Sequence, residues 1–266
     1  LATIQQHRIT CTLLVPTMIY ALLDHPKLDE YDISSLESVY YGAASINPER
    51  LAEAIKRFGP IFYQFFGQSE APMTVTVLRR HEHDVNSIRR LSSCGRPVPW
   101  VRVKLLDSEN REVPEGEPGE ICVQGPLVMT GYLGSPTQTA EAFDGGWLHT
   151  GDVAVRDPDG FLRIIDRKKD MIITGGYNVY PREIEEIAHG VDGIFEVAAI
   201  GVPDERLGER IVAFVVPLPG AGISGQNFLD HCTTKLARYK VPREVRFVEG
   251  LPRNATGKVD RIRLRQ

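Results

Sequence analysis

Five consecutive charged residues, Asp166-Arg-Lys-Lys-Asp170, interrupt two short apolar strands, Phe161 to Ile165 and Met171 to Ile173, and this break limits what the chain can fold into. No core buries five charges unpaired, so the segment reads as a junction where one domain ends and another begins. Gly175-Gly176 follows, where backbone can approach a neighbour closely. Pro181 then opens a helix that carries Glu183, Glu185 and Glu186 in its first turns, where the helix dipole favours negative charge. Taken by itself, the same stretch also reads as a charged turn, a glycine turn and a capped helix.

The 266 residues are 42% hydrophobic and 25% charged, an ordinary globular balance with a net charge of −4 that calls for no nucleic-acid partner. Charge is uneven: 15 Lys and Arg stand against 22 Asp and Glu up to residue 166, and 16 against 13 beyond it. A basic C-terminal part suits an anionic ligand. Cys11, Cys94, Cys122 and Cys232 lie far apart, with no C-x-x-C and no companion His at metal spacing. They read as small buried hydrophobes in a reducing compartment, with neither disulfides nor zinc expected. No apolar run approaches the roughly 20 residues of a membrane span and no signal peptide is visible, so a soluble, cytoplasmic chain without a transmembrane segment is expected. The first residue is Leu1 rather than Met, and Leu1 to Ile9 is already in helical register, which reads as a piece cut from something longer.

Residues 1 to about 80 alternate helix and strand: helix 1–8, strand 11–15, helix 17–23, strand Glu37 to Tyr41, helix Pro48 to Phe58 and strand Ile61 to Phe65. That order predicts part of a layered α/β unit with a largely parallel sheet. Next come short alternating strands, Val101 to Leu106, Glu120 to Gln124, Asp152 to Arg156 and Phe161 to Ile165, separated by Pro/Gly turns. This spacing predicts a small β-barrel or sandwich. Beyond Asp166 the pattern gives strand 171–173, helix 181–189, strands Phe195 to Val202 and Arg210 to Val216, helix Gly225 to Leu236, strand Glu244 to Val248 and a basic tail. A compact α+β domain of about a hundred residues accommodates these elements.

Neither G-x-x-x-x-G-K-[ST] nor G-x-G-x-x-G occurs, and Gly67-Gln-Ser-Glu-Ala71 lacks the second glycine of a hydrolase nucleophile elbow. The seven histidines form no recognisable metal set. What remains is an ordered series of loops at strand ends: Tyr41-Gly-Ala-Ala-Ser45, Phe65-Phe-Gly-Gln-Ser-Glu70, Gly119-Glu-Ile-Cys-Val-Gln-Gly-Pro126 with Val128-Met-Thr-Gly-Tyr132, Trp147-Leu-His-Thr-Gly-Asp152, Asp166-Arg167, Gly175-Gly-Tyr-Asn178 and Pro252-Arg-Asn-Ala-Thr-Gly-Lys258. In this series, over essentially its whole length, the chain resembles the adenylate-forming superfamily of acyl-CoA synthetases, non-ribosomal peptide adenylation domains and luciferases.

The resemblance implies domains at 1–95, the C-terminal part of a large α/β adenylating domain, at 96–166, a β-barrel-like subdomain, and at 167–266, a mobile α+β C-terminal domain. It also implies a fragment, since the family's Ser/Thr/Gly-rich phosphate loop precedes everything present here. The implied chemistry begins with a carboxylate attacking the α-phosphate of ATP; two anions meet, and cations must offset the charge that builds at phosphorus. Glu70 matches the family's acidic Mg²⁺ ligand, of the hard oxygen type that ion prefers. Ser69 stands for a Thr that contacts phosphate and keeps its hydroxyl. Phe66 stands for a Tyr packed on adenine and keeps the stacking without the phenol. Gly42, Ala43 and Gly67 complete the nucleotide-binding positions, and Tyr41, Gly42, Ala43, Phe65 and Phe66 fall along one side of the acid pocket. Tyr41 fits equally as an aromatic strand end packed in the core.

Asp152 matches the carboxylate that accepts from both ribose hydroxyls, and Arg167 reaches the same sugar. Lys258 matches the lysine of adenylation, bridging acyl oxygen and α-phosphate. Lys169 falls at the hinge about which the small domain pivots between adenylate and thioester formation, and Gly175 and Gly176 line the passage for the pantetheine arm. The function this implies is an ATP-dependent carboxylic acid:CoA ligase for a fatty or aryl acid, with ATP, Mg²⁺ and CoA. Two alternatives stand beside it: an acyl-AMP ligase that hands its adenylate to a carrier protein, and a catalytically inactive fragment.

Overall fold

A computed structural model describes residues 1–254 and 259–265, and within it the chain divides into two compact units, Leu1–Ile164 and Ile165–Gln266. Among the described residues no helix is long and apolar enough to cross a membrane.

The first unit opens with α1 (Ala2–His7), β1 (Cys11–Leu14), α2 (Pro16–Leu23), β2 (Ser38–Gly42), α3 (Pro48–Phe58), β3 (Phe62–Gln68), β4 (Ala71–Leu78), α4 (Ile88–Leu91) and β5 (Arg96–Pro97). Local chemistry explains the helix with the clearest ends, α3. Asn47 accepts a hydrogen bond from the Arg50 amide at 2.8 Å, Pro48 supplies a pre-set first turn, and Gly59 takes the positive φ of 89° that stops the helix. Leu51, Ala52, Ala54 and Ile55 form its buried stripe against Val39, Tyr41 and Phe62. Full burial of a Leu or Ile of this kind contributes roughly 1.5–3 kcal/mol. The sheet order is β1-β2-β3-β4-β5, parallel through β3 and antiparallel at β4 and β5. The parallel half follows from helical crossovers; β3 and β4 turn back antiparallel because only Ser69 and Glu70 separate them.

A second sheet, β6 (Arg102–Leu106), β7 (Gly119–Gln124), β8 (Leu148–Arg156) and β9 (Leu162–Arg167), runs in the order β6-β7-β8-β9, with α5 (Pro136–Ala142) between β7 and β8. The expected small barrel does not form: this sheet is open. Its apolar face is covered by β4 instead, because Ala71, Val75 and Val77 share one core with Leu105, Ile121, Val123, Leu148 and Leu162. Four short strands are too few to close with an interior filled by side chains, and the neighbouring sheet supplies the missing wall. Cys94, Cys122 and Cys232 are buried as expected, whereas Cys11, on edge strand β1, is exposed. Burial pushes the Cys94 thiol up to about 12 and that of Cys232 up to about 11.

The second unit holds β10 (Ile172–Thr174), β11 (Tyr177–Val179), α6 (Pro181–Ala188), β12 (Ile194–Asp204), β13 (Gly208–Pro217), α7 (Gly225–Lys235), β14 (Glu244–Phe247) and α8 (Arg261–Leu264). Its sheet runs β11-β10-β13-β12, and β14 lies parallel to β13. β12 and β13 are buried on both faces. Val197, Ala199, Ile211, Ala213 and Val215 pack with Ile184 of α6 and Phe228 of α7, while the alternate residues Ala198, Ile200, Val212, Phe214 and Val216 pack with Leu251 and Leu264. Two-sided burial is why these strands read as unbroken apolar runs.

In β10 the period of two separates neighbours sharply, since Ile172 is fully buried and Ile173 is half exposed. Ile172→Ala should therefore lower the stability of the C-terminal unit by about 2–5 kcal/mol. Ile173→Ala should stay within about 0.5 kcal/mol. Urea unfolding of both variants reads the difference, and equal losses would contradict this register.

Candidate active site

The predicted strand-end residues of the first unit gather around the ends of β2, β3 and the β3–β4 turn. Gly42 ends β2 beside Phe65, its register partner, where an added Cβ would lie 2.3 Å from the Phe65 carbonyl oxygen. Ala43 then takes a left-handed φ of 65° and turns the chain away. Phe65 stacks on Tyr40 with 5.3 Å between ring centres, and both Phe65 and Phe66 are half-buried against the core that β4 shares with the second sheet. At Gly67 a Cβ would meet the Met73 amide nitrogen at 2.6 Å, so only glycine allows β4 to close this tightly. Ser69 is exposed and Glu70 is half-buried at the turn itself.

Glu70 is tied from both its groups. Its carboxylate accepts from the Tyr132 hydroxyl at 2.8 Å and its carbonyl accepts from the Met129 amide at 2.8 Å. The Val128–Tyr132 motif is thereby stapled to the turn, a pairing that sequence separation concealed. Donating this bond to the Glu70 carboxylate raises the Tyr132 hydroxyl above its ordinary range, with burial a smaller cause. Tyr41, by contrast, is fully buried in the core around α3. Its hydroxyl lies 3.0 Å from His83 Nε2, while His83 Nδ1 lies 2.9 Å from the Arg79 carbonyl. A carbonyl only accepts, so the ring hydrogen sits on Nδ1 and Nε2 accepts from Tyr41. Burial pushes His83 down to about 4, which keeps this ring neutral. Core packing accounts for Tyr41.

Asp152 reaches its place through a bulge. Glu120 pairs with Val153 and Cys122 with His149, so a single residue of β7, Ile121, faces three of β8: Thr150, Gly151 and Asp152. Side chains hold the extra residues. The Glu120 carboxylate accepts from the Gly151 amide at 2.9 Å, Thr150 Oγ1 donates to the Ile121 carbonyl at 2.8 Å, and the Asp152 amide donates to Thr150 Oγ1 at 3.2 Å. Gly151 takes the φ of 73° that the bulge requires, and Asp152 is buried.

In the second unit, Arg167 and Lys169 are exposed at a one-turn 3₁₀ segment, Lys168–Asp170. Asp166 is buried and, as the expectation that no core buries these charges unpaired requires, it is paired. Its carboxylate accepts from the Arg167 amide at 2.7 Å and from the Arg182 amide at 2.9 Å, and the latter caps the N-terminus of α6. Arg261 joins the same cluster, donating to Glu185 at 2.7 Å and lying 3.7 Å from Asp170. Burial raises Asp166 and Glu185 above the usual carboxylate range, while the Arg261 charge lowers both.

Gly175 and Gly176 are the two central residues of the β10–β11 hairpin, with φ of 57° and 83° and Thr174 paired to Tyr177. Both left-handed angles fit the type I′ turn preferred by two-residue hairpins. No atom lies within 4 Å of a Cβ built on Gly176, and one built on Gly175 meets only Leu207 at 3.6 Å. Backbone conformation is thus reason enough for both glycines. Lys258 lies outside the described residues. The chain on either side is anchored by a bridge between Arg253 and Val259 and by the Asp260 amide donating to the Pro252 carbonyl at 2.7 Å.

Known proteins are similar to this chain along its whole length. The profile of AMP-binding enzymes matches residues 1–133, and that of the AMP-binding enzyme C-terminal domain matches residues 183–258. The chain belongs to the AMP-binding enzymes. A medium/long-chain-fatty-acid–CoA ligase of Mycobacterium tuberculosis, FadD8, is 48% identical over 100% of this chain and 47% of its own length. A feruloyl-CoA synthase of an Amycolatopsis species is 42% identical over 97% of this chain and 52% of its own. Among solved structures, the amide bond synthetase McbA of Marinactinospora thermotolerans superposes with a TM-score of 0.88 at 37% identity, over 99% of this chain and 53% of that one. The chain spans about half the length of the curated relatives it matches.

For an AMP-binding enzyme the donor set is chemically suitable. A carboxylate at Asp152 only accepts, as a pair of sugar hydroxyls requires, and a single half-buried carboxylate at Glu70 suits Mg²⁺, which binds one or two carboxylates and completes its shell with phosphates and water. The hairpin offers a structural test. Gly175→Asn keeps a residue that tolerates a left-handed φ and should change stability by less than about 0.5 kcal/mol. Gly175→Val places a β-branched residue there and should cost about 1–3 kcal/mol. Urea unfolding of the two variants decides, and a tolerated valine would contradict the turn.

Proposed function

We propose that the protein carrying this chain is an ATP-dependent carboxylic acid:CoA ligase. The observation that carries this is the 48% identity to a fatty-acid–CoA ligase across the entire chain, with Glu70, Asp152, Arg167 and Lys258 at the motif positions of that chemistry and Phe66 and Ser69 replacing a Tyr and a Thr. In the first half-reaction a carboxylate oxygen attacks the α-phosphorus of ATP and pyrophosphate leaves, giving acyl-AMP. In the second, the CoA sulfur attacks the acyl carbon, its proton goes to solvent, and AMP leaves. Asp152 accepts from the ribose hydroxyls and Arg167 donates to the same sugar, which orients the α-phosphate. Phe66 offers a face for adenine, with Gly42, Ala43 and Gly67 allowing close backbone approach, and Ser69 donates to phosphate. Glu70 holds Mg²⁺, which when bound offsets phosphate charge.

Lys258 is assigned to the first half-reaction, where its ammonium stabilises charge developing between acyl oxygen and phosphorus. Gly175 and Gly176 are assigned to the second, with Lys169 as the hinge between the two states. The related fatty-acid and feruloyl ligases point to an apolar or aryl acid of substantial size. A second reading changes only the acceptor: McbA is an amide bond synthetase, so an amine in place of CoA is the competing assignment.

With the complete enzyme, acid-dependent ATP–pyrophosphate exchange tests adenylation, and supplied acyl-AMP tests transfer. Lys258→Ala should slow exchange by about 10²–10³-fold, the usual loss on removing one donor to a developing charge, and leave transfer to CoA within a few-fold. Gly175→Asn should do the reverse. Equal losses in both half-reactions would overturn the division of labour. Transfer to amines with none to CoA would select the second reading.

A further inference from the structure

One group of chemistry-bearing side chains lies outside the roles assigned above. In β7 and β8, Glu120, Cys122 and His149 bring a carboxylate oxygen, a thiol sulfur and a ring nitrogen within 4.8 Å of one another, the only such group found among the described residues. Twenty-seven positions separate Cys122 from His149 in sequence, yet they are register partners across the two strands, so strand pairing makes this cluster and no sequence spacing reveals it. Cys122 is fully buried, and the Glu120 and His149 side chains are 6% and 11% exposed.

Hydrogen-bond counting around the ring points to a cation. His149 Nδ1 lies 2.9 Å from Glu120 Oε2 and Nε2 lies 3.2 Å from the Asp144 carbonyl oxygen. Both flanking oxygens are acceptors and a neutral imidazole carries one N–H, so either tautomer satisfies one of them and turns a lone pair toward the other: toward the Asp144 carbonyl when Nδ1 donates to Glu120, toward the Glu120 carboxylate when Nε2 donates to Asp144. The Cys122 sulfur stands 3.4 Å from Nδ1. We propose that Glu120, Cys122 and His149 form a binding site for a zinc-class divalent cation, held by Glu120 Oε2, Cys122 Sγ and His149 Nδ1.

Three features outside the trio support this. A tetrahedral ion with bonds of about 2.0–2.1 Å to N and O and about 2.3 Å to S holds these atoms about 3.3–3.6 Å apart, so the 2.9 and 3.4 Å at His149 Nδ1 open by a few tenths of an ångström, and the Glu120 oxygen and Cys122 sulfur, within 4.8 Å, draw together on binding. The atoms that would not bind the ion are already engaged as outer partners: Glu120 Oε1 accepts from the Gly151 amide, and His149 Nε2 faces the Asp144 carbonyl. Ligating carboxylates and histidines are fixed in this way, through the oxygen or nitrogen turned away from the metal. Charge also balances, because carboxylate, thiolate and a divalent cation sum to zero in a buried place, with the thiol proton released to solvent on binding. Mixed S, N and O donors select the zinc class over Mg²⁺. The bound ion would stiffen the bulge that carries Gly151 and Asp152.

Cobalt(II) is the probe, used on the metal-stripped chain carrying Cys11→Ser to remove the exposed thiol. One Co²⁺ per chain should bind with a thiolate-to-cobalt charge-transfer band and the visible bands of a tetrahedral ion, and Zn²⁺ should displace it. Cys122→Ser should abolish the charge-transfer band and weaken binding by more than roughly 100-fold, beyond what loss of an outer partner costs. His149→Gln should weaken binding comparably, and it serves as the second variant if Cys122→Ser does not fold. Absence of a thiolate–cobalt band in chain with native near-ultraviolet circular dichroism would overturn the site and leave a proton as the only cation between His149 and Glu120. A band that survives both substitutions would overturn it as well, by assigning the thiolate elsewhere.

Discussion

Three residues of β8 facing one of β7 is the constraint on which the placement of Asp152 depends. Left to pair regularly, Thr150, Gly151 and Asp152 would follow the ladder; with two extra residues in β8 they leave it instead, while the strand on either side keeps its faces. The Glu120 carboxylate prevents this by accepting the Gly151 amide, and the Thr150 hydroxyl closes the other side of the bulge onto Ile121 and Asp152. A buried carboxylate without such partners would be strongly unfavourable, so Glu120 and the bulge require one another. Asp152 is fixed by backbone geometry before any ligand arrives, the preorganisation that its proposed role toward a sugar would need.

The second unit has its own internal tie. Asp166 at its start, Glu185 in α6 and Arg261 just beyond the Lys258 position are joined by amide and guanidinium hydrogen bonds. Removing one member of such a cluster strands a buried charge, and in buried pairs that costs about 3–5 kcal/mol. The segment assigned as hinge and the segment after the assigned adenylation lysine therefore belong to one cross-braced body. Asp166 and Glu185 have folded-state values raised above their unfolded ones, so their contribution is fully present below the ordinary carboxylate range and is lost as pH rises through the raised values. Arg261 offsets that loss at neutral pH.

Much of this was legible in the sequence where local chemistry decides. The Asn47-Pro48 start and Gly59 stop bound α3 as read, and the apolar runs of β12 and β13 were found because two-sided burial leaves no polar interruption. The loops at strand ends were legible as motifs, and the family whose models match residues 1–133 and 183–258 is the one they resemble. Long-range pairing was not legible. β4 was missed because Pro72 and Met73 break its start, although Val75 and Val77 keep strand alternation. For the second sheet the sequence left a small barrel and a sandwich both open, because alternation shows which face is apolar and not what covers it; here β4 covers it. The Glu70–Tyr132 bond, the Asp166 cap and the Glu120–Cys122–His149 cluster join residues 16 to 62 positions apart, and no local pattern marks such pairs.

The central claim is that the carboxylate oxygen of the substrate attacks the α-phosphorus of ATP before the thiol attacks carbon. Supplying the complete enzyme with an acid labelled with oxygen-18 in its carboxylate, together with ATP and CoA, follows that oxygen directly. Attack at the α-phosphorus makes it the bridging atom of acyl-AMP, and thiol attack at the acyl carbon leaves it on the departing AMP. Mass spectrometry should find one labelled oxygen in AMP and none in pyrophosphate. Label in inorganic phosphate with ADP as the other product, or AMP free of label, would contradict the account.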